Sequence, residues 1–153
     1  MTYLTKDIAD HLKGSTNIVD AFSNRIFPET IPQVIRDDMG RSQSAYPCLV
    51  INDLTNEPEY VLSGEAGVHT STIQIDVWTD GTGGKAKAVE YSELVRNRLS
   101  GYRGRFGEGV YGTSRLIRNN AVAAPPIDGS DIHRRRVSMD FEIIHTADVP
   151  DFT

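Results

Sequence analysis

The chain has 153 residues, 39% of them hydrophobic and 24% charged, which is ordinary globular composition for one domain with one core. Its net charge of −5 argues against nonspecific nucleic-acid binding as the default. No apolar run approaches the ~18 residues of a membrane span, and Met1–Asp7 carries acid where a secretory signal would carry base, so the chain reads as non-secreted.

Leu4, Ile8 and Leu12 recur every four positions and predict an amphipathic helix over 2–13, capped by Thr2 and stopped by Gly14. Ile18, Val19 and Phe22 continue that apolar face for one more turn, and Arg25-Ile26-Phe27 runs extended until Pro28. Residues 28–45 predict a long irregular loop, a kind often functional. Tyr46–Ile51 reads as a strand covered on both faces, with Pro47 marking its start or an edge. A polar hairpin region spans 52–67. The strand 68–78 follows, with Ile73, Ile75 and Val77 alternating against Thr72, Gln74 and Asp76.

A glycine turn at 80–84 leads into a helix over 85–100, whose Ala88, Tyr91, Val95 and Leu99 share a face and which Gly101 ends. Glycines then punctuate an extended segment to Gly112, a strand covers 114–118, and 119–133 is a second long loop containing Pro125-Pro126. The last strand, 134–145, turns Val137, Met139, Phe141 and Ile143 inward, and 146–153 is a tail. This order predicts a single α+β domain over 1–153: a mainly antiparallel four- to five-stranded sheet with two helices packed on one face.

Few residues point to chemistry. The stretch Trp78–Ala86 has the strand-turn-helix order of a phosphate loop. A Walker A motif would need glycine where Thr79 stands and Ser or Thr where Ala86 stands. It therefore reads as a turn with Thr82 as helix cap, and a nucleotide-binding enzyme using Gly81–Lys85 is the alternative of another class. Cys48, the only cysteine, excludes an internal disulfide and lies in an apolar strand as a packed thiol. His11, His69, His133 and His145 show no metal-ligand spacing, and Asp37-Asp38 matches no calcium loop, so no cofactor or metal is expected. His69 reads as surface or interface filler, and His133 and His145 as flanks of the last strand without a chemical role.

Charge is spread unevenly. Residues 1–80 hold 12 acids and 5 bases, and residues 81–153 hold 9 acids and 11 bases. Asp53, Glu57, Glu59 and Glu65 form one acidic hairpin field with no base among residues 52–65. Arg134, Arg135 and Arg136 open the last strand, with Arg103, Arg105, Arg115 and Arg118 before them. Such arginines fit a solvated face, a subunit contact or a nucleic-acid grip.

In order and spacing, four segments resemble the siphophage tail terminator family, also called tail-completion or tail-to-head joining proteins. They are the opening helix with Arg25-Ile26-Phe27-Pro28, the strand Tyr46-Pro47-Cys48-Leu49-Val50-Ile51, the strand Ile73-Gln74-Ile75-Asp76-Val77-Trp78 before its helix, and the closing strand 136–143. The resemblance covers most of residues 3–145. It implies a non-enzymatic virion subunit, assembled in the host cytoplasm. Copies would form a ring, commonly a hexamer, that caps the tail tube, meets the head connector or stopper, and lets DNA pass through its lumen. It makes Asp53, Glu57, Glu59 and Glu65 candidates for the lumen or the tube-facing rim. Arg115, Arg118, Arg134, Arg135 and Arg136 become candidate subunit contacts, and the loop carrying Arg36, Asp37, Asp38 and Arg41 a candidate docking loop. A head-completion stopper or a tail tube subunit is the alternative within the virion.

Overall fold

Period-two burial decides the architecture. Ile73, Ile75 and Val77 in one strand and Val137, Met139, Phe141 and Ile143 in another are all buried, which makes them one inner face of a sheet. The computed structural model describes residues 4–29, 35–36, 39, 42–43, 46–80, 84–123 and 134–148. Its elements are α1 (Leu4–Lys13), α2 (Thr16–Phe22), β1 (Ile26–Pro28), β2 (Ile35–Arg36), β3 (Ser42–Gln43), β4 (Cys48–Val61), β5 (Gly64–Asp80), α3 (Gly84–Leu99), β6 (Arg103–Arg105), β7 (Tyr111–Ala123) and β8 (Arg134–Thr146). Six strands form the main sheet in the order β1-β4-β5-β8-β7-β6, and β2 with β3 makes a separate ladder.

The helices supply the apolar layer over the inner face. Leu4, Ile8 and Leu12 of α1 and Ala88, Val95 and Leu99 of α3 join the strand residues in one core, and Phe22 of α2 meets Tyr91 edge-on at 5.4 Å between centroids. Two hydrogen bonds tie α1 to α3. His11 Nε2 donates to the Arg98 carbonyl and Arg98 Nε donates to the His11 carbonyl, both at 3.2 Å. The His11 ring packs on Tyr102 and Phe106 at 4.2 and 5.4 Å.

The α+β class matches the sequence expectation, and the element counts do not. Among the described residues the main sheet has six strands rather than four or five, and there are three helices rather than two. The extended stretch expected at Arg25–Phe27 is β1, which pairs in parallel with Leu49–Ile51. The added strand is β6, which folds back on Tyr111–Thr113 and, at three residues, is too short to display a period of two. The expected loop over 119–133 loses its start to β7, because Asn119, Asn120 and Ala121 pair with Met139, Ser138 and Val137; cross-strand pairing overrides their weak strand propensity. Within the expected irregular 28–45 segment, Ile35–Arg36 pairs with Ser42–Gln43. The expected caps Thr2 and Thr82 lie outside the described residues.

Glycine is required where α1 meets the β6–β7 connection. A Cβ at Gly109 would collide with the Asp7 carboxylate, and one at Gly112 with the Ile144 carbonyl. Asp7 is buried there and accepts the Val110 N–H at 3.3 Å.

Phe141 is wholly buried at the centre of the core. Phe141→Ala should lower the unfolding free energy by about 3–5 kcal/mol in urea titrations. Leu62→Ala, at an exposed loop, should change it by no more than ~0.5 kcal/mol.

Candidate functional site

Two of the strands outrun the sheet. β8 ends at Thr146 opposite Val68, with one further bond from the Ala147 N–H to the Gly67 carbonyl at 3.0 Å; past it, among the described residues, β4 and β5 pair with each other alone, through Tyr60–Glu65 and Val61–Gly64. Some four residues of each strand project, about 13 Å at ~3.3 Å per residue. Register shifts at Leu54 and at Glu59 add twist to this arm. Its tip is apolar and exposed: Tyr60, Val61 and Leu62 all face solvent.

The four predicted acids sit on the arm and its root, but not on one face. Asp53 pairs with Ile73, so it lies on the helix side at the root. Glu57 pairs with Thr70, Glu59 occupies a register shift, and Glu65 pairs with Tyr60 near the tip. Glu57 and Glu59 are exposed.

The arginine run occupies the other end of the same strands. Asp80 pairs with Arg134, and Trp78 with Arg136. β5 has 17 residues, so roughly 50 Å of strand at ~3.3 Å per residue separates the arm tip from the arginines. The Arg134 guanidinium lies 4.5 Å over the Tyr46 ring and that of Arg136 5.3 Å over Trp78. Tyr46 and Trp78 meet edge-on with centroids 6.4 Å apart, so each arginine lies over one ring of an aromatic pair. Arg135 points to the other face, beside Gly84 at the start of α3. Arg115 and Arg118 stand apart on β7. Arg115 pairs with Glu142 at 3.1 Å, an exposed ion pair of small energetic weight, and Arg118 lies opposite Asp140. The five predicted arginines are therefore two groups, not one patch.

The structure also brings together residues that no pattern in the sequence joins. His69 and His145 are opposed across β5 and β8, with ring centroids 5.9 Å apart. They line a polar cleft of about 570 Å³ with Asp53, Asn56 and Ser71. His145 Nδ1 is 2.9 Å from the Thr146 carbonyl, which can only accept, so Nδ1 carries the proton and Nε2 accepts from Ser71 Oγ at 2.8 Å. His69 Nδ1 lies 2.7 Å from Asn56 Oδ1. Burial holds the pKa of His145 below the ordinary histidine range, and does the same for His11. The register of two strands distant in sequence creates this cluster, and no local motif marks it.

Arg36 lies in β2 opposite Ser42; Asp37, Asp38 and Arg41 of the predicted docking loop lie outside the described residues. Of the glycine turn, Gly84 opens α3 and its carbonyl accepts from Thr79 Oγ1 at 2.6 Å. Cys48 is fully buried, and burial pushes its thiol up to about 12. No helix among the described residues is long and apolar enough to cross a membrane, and no group of three or more His, Cys, Asp or Glu among them could hold a metal ion.

The fold is a helix-covered sheet with a long projecting hairpin, acidic along the arm and basic at the opposite end. The model of the family described as tail completion protein gp17 matches residues 6–146, and the chain belongs to that family, as a structural protein of the virion tail. The same fold occurs in a chain of the virion of a native gene transfer agent particle, with a TM-score of 0.65 and 16% sequence identity over 94% of this chain and 95% of that one. No curated protein matches the sequence.

Because His11 and His145 resist protonation in the fold, the unfolded chain binds the extra protons as pH drops through about 6.5. Their stabilising contribution is therefore complete above that pH and lost below it. Burial raises the pKa of Asp7, Asp53 and Asp76; protonation of these groups favours the fold, an opposite effect that offsets part of the histidine contribution as the pH falls. The urea midpoint should fall between about pH 7.5 and about pH 5.5, and His145→Asn should shrink that fall. A midpoint flat across this range would contradict the assignment.

Proposed function

We propose that this chain is a tail terminator whose copies close into a ring, most simply a hexamer. The ring caps the finished tail tube and presents its other face to the head connector or stopper, with DNA passing through the lumen. The observation that carries this reading is the separation of charge along one sheet: an acidic arm at one end of β4 and β5, and Lys85, Arg134, Arg135 and Arg136 at the other end of β5 and β8. A surface that fits a different surface on its neighbour makes heterologous contacts, and these close into rings when the rotation per subunit allows.

The acidic arm suits a lumen or a tube-facing rim. Phosphates meet no counter-charge on Glu57, which lies on the shaft of the arm away from its tip, so DNA slides past without being held. The role needs no catalysis. The Cys48 thiol, pushed up to about 12 by burial, stays protonated and offers no nucleophile.

Particles produced without this chain should carry overlong tails, or tails that fail to join heads. Tails of normal length attached to heads would overturn the proposal. Absence of any tube would assign the chain as the tube subunit, and normal tails beside heads that lose their DNA would assign it as a stopper. A Glu57→Lys, Glu59→Lys variant should keep its unfolding free energy within ~0.5 kcal/mol per substitution and still lower the yield of infectious or transfer-competent particles; a normal yield would remove the acidic arm from the proposal.

A further inference from the structure

A shallow groove of about 260 Å³ opens between the first turn of α3 and the ends of β7 and β8. Its apolar lining comes from Ala88, Val89, Ala121 and Val137, and Lys85, Arg135 and Arg136 add a basic rim. Val89 and Ala121 are exposed, although they sit beside the apolar core residues Ala88 and Val137. The arm tip has the converse character. Tyr60, Val61 and Leu62 are exposed, Leu62 wholly so, and Glu59 and Glu65 flank them. Apolar side chains at a projecting tip are costly in solvent unless a partner covers them.

Groove and tip cannot meet within one chain. The tip lies beyond Val68 and Thr146, and the groove lies beside Arg135 and Val137, near the opposite end of the same ladder. We infer that the arm tip of one copy docks into the α3–β7–β8 groove of the next, Leu62 entering the apolar floor while Glu59 and Glu65 face Lys85 and Arg135. This rests on the ring reading above and specifies its subunit contact. The occupant is a second copy because the same chain carries both halves of a complementary pair, apolar on apolar and acid on base. The two halves differ, so the contact is heterologous and propagates from copy to copy. Charge opposition at the rim fixes which way the arm enters.

Disulfide trapping tests this. In a Cys48→Ala background, cysteines at Leu62 and Val89 together should give, on mild oxidation of assembled particles or purified rings, a ladder of covalent multimers that extends to the full ring. Either cysteine alone should give no species beyond a dimer. A charge swap provides a second readout: Glu59→Arg should weaken self-association by about tenfold, the scale of one 1.4 kcal/mol contact, and adding Arg135→Glu should restore most of it. Rings that assemble without the Leu62–Val89 ladder and without charge-swap rescue would overturn this contact while leaving the ring reading intact. Leu62 crosslinking to the tube protein instead would assign the tip to the tube and overturn it also. Absence of rings in both particles and solution would overturn the ring reading itself.

Discussion

The antiparallel ladder between β5 and β8 is the constraint on which the rest depends. Thirteen consecutive residue pairs run without a register shift from Val68–Thr146 to Asp80–Arg134. Because side chains alternate, that one register places Ile73, Ile75, Val77, Val137, Met139 and Phe141 under the helices and sends Gln74, Asp76 and Ser138 to the opposite face. It also places His69 beside His145 and Trp78 beside Arg136. A slip of one residue would exchange the two faces, burying charge beneath α1 and α3 and undoing both the polar cleft and the cation–ring contacts.

In the proposed ring, stability and assembly occupy different parts of the sheet. The middle of the ladder is dry, helix-covered and regular, whereas the irregularities in β4 cluster at the root of the arm and near its tip. Substitution of an arm residue therefore costs little folding energy and is free to serve recognition, while the regular middle holds the two charged ends at a fixed separation. Heterologous ring contacts need such a spacer: a flexible link between the two patches would let subunits join at variable angles and form open chains.

The long elements were legible because they repeat. Ala88, Val95 and Leu99 marked α3 within one residue of its observed bounds, and the alternation of Val137, Met139, Phe141 and Ile143 marked β8 equally well. Short elements escaped for a physical reason. Ile35–Arg36 and Arg103–Arg105 are strands only because a neighbour supplies hydrogen-bond partners, and two or three residues carry no period. Candidate charges were visible as types and runs, but their grouping was not. Arg134, Arg135 and Arg136 alternate faces, Arg115 and Arg118 belong to another strand, and Asp53 lies on the far side of the sheet from Glu57. Only the three-dimensional register shows that Arg134 and Arg136 rest on Tyr46 and Trp78, or that two histidines 76 positions apart share a cleft.

Cryo-electron imaging of the intact particle, with density at the head-proximal end of the tail resolved well enough to trace strands, tests the central claim most directly. This chain should appear there as a single closed ring between tube and connector, each six-stranded sheet touching its neighbours through unlike ends. Copies found dispersed along the tube, or one isolated copy without neighbours of its own kind, would contradict it.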